Sequence, residues 1–163
     1  MPRRDKTNYY LDLAEMVCQR STCLRRHYGA VIVNNDEVVS TGYNGAPRGR
    51  VNCTDRGVCM RDELHVPRGE RYEICRSVHA EANAIISASR ERMIGGSLYL
   101  CGIDPATGGY VEHANSCSMC KRLIINAGLA KVYSRDDKDH YRVIDVQRDW
   151  VENDETLNGE FNY

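Results

Sequence analysis

Two short stretches of this sequence carry residue types that bind metal and move protons. His79-Ala80-Glu81 sets an imidazole two residues before a carboxylate, and Cys117-Ser118-Met119-Cys120 sets two thiols three residues apart. One histidine and two cysteines are ligands that zinc prefers. Three protein ligands leave the fourth tetrahedral position open, whereas four would close the site. Residues i and i+3 are neighbours on a helix. Cys117 and Cys120 can therefore reach one ion from a first helical turn, where unpaired N–H groups favour the thiolate. Residues i and i+2 diverge inside a helix, so His79 and Glu81 converge only at a helix tip. The expected arrangement is a zinc ion held between two helix N-termini.

Glu81 then has a role. Zinc lowers the pKa of its water from ~15.7 to about 7, and a neighbouring carboxylate can take that proton and pass it to a leaving nitrogen. The zinc nucleobase deaminases use this constellation, with the signature H-x-E followed by P-C-x-x-C. Ser116 stands here where that signature has proline. Its backbone carbonyl remains able to accept a hydrogen bond from an exocyclic amine. Either motif alone says little, because a lone Cys-x-x-Cys suits a structural zinc or a redox pair equally well. Their pairing, each opening a helix, carries the reading.

The periodicity supplies elements to hold these groups. Residues 6–20 form an amphipathic helix, with Tyr10, Leu13, Ala14 and Val17 at i, i+3, i+4 and i+7. Residues 29–33 and 37–43 are strands joined at Asn34-Asn35-Asp36 into a hairpin. A helix follows from about Val78 to Glu91, stopped by Gly95-Gly96, then a strand over 97–101. A helix over about 117–127 ends at Gly128, placed for the left-handed conformation. Strands over 129–133 and 141–146 complete the order. Strands alternating with helices imply a sheet covered on both faces. Residues 44–76 have turn chemistry and little periodicity, and Cys53, Cys59 and Cys75 within them favour an ordered loop held by metal. Residues 147–163 are a polar acidic tail, expected to be flexible or to close an interface.

The whole is one domain's worth of chain, 163 residues over 1–163. A net charge of −1 argues against a grip on a nucleic acid polymer. No apolar run reaches the ~18 residues of a membrane span, and no apolar leader follows the charged start, so the expected compartment is the cytoplasm. Eight cysteines in such a setting are expected to be reduced, and with clustered histidine they point to metal.

Longer motifs narrow the reading. Ser21-Thr22-Cys23, Gly29-Ala30-Val31-Ile32-Val33, Thr41-Gly42-Tyr43-Asn44-Gly45-Ala46-Pro47-Arg48-Gly49 and the run Cys75 to Ile85 resemble the deoxycytidylate (dCMP) deaminases of the cytidine deaminase superfamily, over roughly residues 8–135. The resemblance implies an α/β protein with a three-layer α/β/α fold around a central mixed sheet of about five strands. It implies hydrolysis of dCMP to dUMP and ammonia. It also implies that Asn44 contacts the deoxyribose, that the backbone at Ala80 reads the pyrimidine edge, and that Arg26 meets the phosphate. Homo-oligomers, often hexamers, are usual in the family, with activation by dCTP and magnesium and inhibition by dTTP. Some members carry a second zinc on cysteines at the places of Cys23 and Cys53, which Cys59 and Cys75 would complete here. The sequence departs from the family at Tyr28, Ala82 and Ser116.

A monophosphate needs cationic donors. Arg25, Arg26, Arg48, Arg50, His65 and Arg68 are the candidates, with Arg26 first and His65 next. Tyr133, ending a strand after the Cys-x-x-Cys helix, is a candidate wall for the base pocket. Two alternatives stand beside this reading. One is a deaminase of cytidine, of a nucleoside triphosphate or of adenosine in tRNA. The other is a non-catalytic zinc-stabilised interaction module, which would need a fourth ligand and have no use for Glu81.

Overall fold

Five strands form one mixed sheet in a computed structural model that describes residues 1–160. They are β1 (His27–Asn34), β2 (Glu37–Tyr43), β3 (Ser97–Ile103), β4 (Lys131–Arg135) and β5 (Tyr141–Asp145), in the order β2-β1-β3-β4-β5. Only the β3–β4 pairing is parallel. Among the described residues six α-helices accompany them: α1 (Lys6–Cys18), α2 (Cys53–Arg56), α3 (Met60–Glu63), α4 (Ala80–Ile86), α5 (Arg90–Met93) and α6 (Ser118–Ala127). The three-layer α/β/α architecture with five strands is the one expected.

Side chains alternate across a strand, so the sheet has two distinct cores. On one face Leu11, Ala14 and Cys18 of α1 pack on Val31, Tyr99 and Cys101. On the other, Ala80, Ala84 and Ile124 of α4 and α6 pack on Ile32, Leu98 and Leu100. With both faces covered, β1 and β3 read as continuous apolar runs rather than alternating ones. Arg135 fastens α1 to β4. Its side chain is fully buried and donates to Asp12 at 2.8 Å and Glu15 at 2.7 Å.

The helix expected over 78–91 is two helices. Ser40 of β2 donates its hydroxyl to the Ala84 carbonyl at 2.6 Å. That is the acceptor an uninterrupted helix would offer to the amide of Ala88, which bonds instead to Ile85 at 3.3 Å. The last turn tightens, α4 ends at Ile86, and Ser89 begins α5. The strand expected over 97–101 continues to Ile103.

The acidic tail is folded as far as it is described. Gln147–Glu152 forms a π-helical turn that buries Trp150 against the α4/α6 face, and Glu155 receives Lys121 at 2.7 Å. The end of that expected tail, residues 161–163, lies outside the described residues. Among the described residues no helix is long and apolar enough to cross a membrane.

Candidate active site

Helices α4 and α6 begin side by side. His79 and Cys117 occupy their N-cap positions, both with extended backbone. A bridge between Gly45 and Val78 fixes the chain just before His79. His79 Nδ1 lies 3.4 Å from Cys117 Sγ and 3.4 Å from Cys120 Sγ. The three donor atoms fall within 4.8 Å of one another, the only such group of three or more among the described residues. Two soft sulfurs and one imidazole nitrogen, gathered but not filled by a fourth protein ligand, suit zinc with an open position. Cys117 is held well below the usual thiol range because its thiolate accepts from the Cys120 thiol and from His79, while Cys120 is pushed up in consequence.

Glu81 is 5% exposed, in the first turn of α4. Burial raises its pKa, and the positive charge of His79 opposes the rise. Ser116 is buried beside Glu81, with its hydroxyl lacking a well-formed hydrogen bond and its backbone amide donating to Asn115 at 2.9 Å.

His79, Glu81 and Cys117 line one end of a cavity of about 360 Å³, while Cys120 and Ser116 lie behind its wall and are not among the residues that line it. Ala80 and Asn44 line it as well. Asn44 is largely committed: Oδ1 accepts from Ser21 at 2.6 Å and from the Tyr28 amide at 2.8 Å, and Nδ2 donates to the Arg26 carbonyl at 2.8 Å. One amide hydrogen is left for a ligand. Arg26 borders the cavity, paired with Asp104 at 3.2 Å.

Two expected contacts are elsewhere. Tyr133 does not wall the cavity. It stacks on Tyr99 at 4.7 Å, on the α1 side of the sheet. The neighbouring Val132 faces α4 and α6, where the site lies, and alternation sends Tyr133 the other way. His65 is exposed and does not line the cavity. The turn after α3 places it at φ 52°.

The aromatic walls are Tyr28 and Tyr72. Tyr28 has its pKa pushed up to about 12 by burial and by the charge of Glu81. Tyr72 meets His79 edge to face, with ring centroids 5.0 Å apart. Sequence reasoning missed Tyr72 and the buried Arg61 that lies 4.7 Å from its ring centre. Their signal in the sequence is only an aromatic residue and a cation inside a cysteine-bearing loop.

Cys23, Cys53, Cys59 and Cys75 come into one neighbourhood. Burial raises the Cys53 pKa, and the other three thiols add to the rise. No three of their sulfurs are drawn within 4.8 Å of one another.

Comparison with known proteins agrees with this geometry. The family described as the cytidine and deoxycytidylate deaminase zinc-binding region matches residues 4–135. A deoxycytidylate deaminase of Schizosaccharomyces pombe is 33% identical over 77% of this chain, which spans 35% of that protein. One from Mycobacterium phage D29 is 36% identical over 81% of this chain and 95% of its own length. The solved structure of dCMP deaminase from cyanophage S-TIM5 superposes with a TM-score of 0.58 at 27% identity, covering 85% of this chain and 88% of that one. The same protein has also been solved in complex with dCMP and dUMP.

Proposed function

The chain belongs to the cytidine and deoxycytidylate deaminase family, and on that premise we propose that it hydrolyses dCMP to dUMP and ammonia. The observation that carries the reading is the convergence of His79, Cys117 and Cys120 beside the buried Glu81 at one end of a nucleotide-sized cavity. His79, Cys117 and Cys120 would hold zinc, which when bound acidifies water and polarises it for attack. Glu81 accepts a proton from the attacking water and delivers it to ring nitrogen N3, then assists the second proton transfer to the departing amine. The C4–O bond forms and the C4–N bond breaks, so no redox partner is needed. Ala80 backbone and the Ser116 carbonyl orient the base, and the remaining Asn44 hydrogen serves the sugar. Arginines at the cavity border, Arg26 among them, offer charge to the monophosphate.

Cys23, Cys53, Cys59 and Cys75 would hold a second, structural zinc in this reading, which rests on the family resemblance and on their sharing one neighbourhood, close enough for their charges to act on one another. Thiolate ligands need a reducing compartment, which fits the cytoplasm. A homo-oligomer, often a hexamer in the family, follows from the resemblance, and control by dCTP with magnesium and by dTTP from the Gly42–Pro47 loop that contributes to the regulatory site in the family. The test is ammonia release from dCMP, cytidine and deoxycytidine in parallel, with and without dCTP. The reading predicts that dCMP is preferred and that dCTP converts a sigmoidal response to a hyperbolic one. Preference for a nucleoside would overturn the substrate, and an unchanged response would overturn the control.

A further inference from the structure

Four guanidinium groups border the cavity, from Arg25, Arg26, Arg61 and Arg68. Three are already engaged. Arg25 pairs with Asp62 at 3.1 Å. Arg26 pairs with Asp104 and donates to the Arg25 carbonyl at 2.7 Å. Arg61, only 6% exposed, donates through Nη2 to the carbonyls of Pro67 at 2.9 Å and Glu70 at 2.6 Å, and its guanidinium lies over Tyr72. Arg68 is different. It is exposed, and among the described residues it has neither a hydrogen bond nor an ion pair.

The backbone that carries Arg68 is shaped for presentation. Pro67-Arg68-Gly69-Glu70 is a turn closed by the Glu70 amide on the Pro67 carbonyl at 3.3 Å. Gly69 has φ 81°, which the third residue of a type II turn requires. The one Arg61 nitrogen holds both ends of that turn. Arg68 therefore sits at its tip, and its charge acts on both aromatic walls, Tyr28 and Tyr72. Glu81 and Glu112 also border the cavity, so an anionic group is met on the arginine side.

We infer that Arg68 selects a nucleoside monophosphate over the nucleoside by donating to its phosphate, and that Arg61 is the positioning residue that sets the Arg68 turn. A phosphate monoester carries about −1.5 to −2 at pH 7. Meeting it costs Arg68 no existing partner, whereas Arg26 must first release Asp104. The inference rests on the dCMP reading and adds the residue that enforces it.

The experiment compares kcat and KM for dCMP and deoxycytidine in wild type, Arg68→Ala, Arg68→Lys, Arg61→Met and Arg26→Ala. Arg68→Ala is expected to raise KM for dCMP about ten- to a hundredfold, the range of one charge-assisted hydrogen bond. Deoxycytidine turnover should fall far less, and Arg68→Lys should recover part of the loss. Arg61→Met should show the same KM-weighted, dCMP-selective loss with zinc content retained. Arg26→Ala should change the substrate ratio less than Arg68→Ala. Where deoxycytidine turnover is too slow to measure, inhibition constants for dUMP and deoxyuridine give the same ratio. Equal losses on both substrates in Arg68→Ala, or none, would overturn the inference. Failure of the wild type to deaminate dCMP would overturn instead the reading beneath it.

Discussion

Gly42 of β2 lies so close to Ala80 of α4 that a methyl group on Gly42 would fall well inside 3.0 Å of the Ala80 carbonyl oxygen. The Ala84 amide nitrogen lies equally near, and the Asn83 carbonyl carbon follows at 2.9 Å. The helix that begins at His79 and carries Glu81 is thus seated directly on the strand. Gly42→Ala should lift that helix and cost about 1–3 kcal/mol through overpacking. Zinc content and turnover should fall together with the melting temperature. A variant with wild-type melting and full activity would show that the close seat of α4 does not set the site.

Arg135 gives a stability prediction remote from the chemistry. Arg135→Ala removes a fully buried cation and leaves Asp12 to Arg4 and Lys138, and Glu15 to Lys138 and the Tyr110 hydroxyl. Losing hydrogen bonds between charged groups costs about 1.5–3 kcal/mol, and since both carboxylates are about one-third exposed and keep other partners the lower end applies. Urea unfolding should show the loss. A change within ~0.5 kcal/mol, the range of an ordinary surface substitution, would mean the network contributes little.

The same cluster predicts an acid dependence. Burial pushes the Asp12 pKa up, but its bonds with Arg4 and Arg135 outweigh this and hold it below the ordinary carboxylate value. A depressed folded pKa adds stability that is present above the unfolded value, about 3.9, and is lost as pH falls through the folded one. Wild-type stability should drop below about pH 4, and Arg135→Ala should drop less steeply there. Parallel curves for the two proteins would contradict the assignment to Asp12.

Metal content separates the two cysteine groups. Purified protein should carry two zinc ions per chain, and Cys120→Ser should lose one of them along with turnover. Cys59→Ser should lose the other and lower the melting temperature. One zinc per chain in wild type would remove the second site and leave the first.

The candidate site was legible in the sequence because its groups are local: His79 with Glu81, and Cys117 with Cys120, are each spaced for one helix tip. The hairpin and the Gly128 stop were legible for the same reason. What the sequence withheld depends on partners far along the chain. The break after Ile86 falls where the Ala84 carbonyl accepts from the hydroxyl of Ser40, 44 residues away. The wrong side for Tyr133 follows from sheet parity, which no local pattern near Tyr133 reveals. The Arg61 clamp joins residues of one loop, but only through backbone carbonyls, which carry no side-chain signature.

The most direct test of the account is dCMP turnover by Glu81→Gln, with zinc measured on the same sample. The variant keeps the shape of the buried side chain and removes its ability to carry a proton. The account predicts zinc at the wild-type level and a rate lower by about a hundred- to ten-thousandfold, the usual share of a positioned acid–base group. Turnover near that of wild type, with zinc bound, would show that Glu81 is not the proton carrier and would contradict the mechanism.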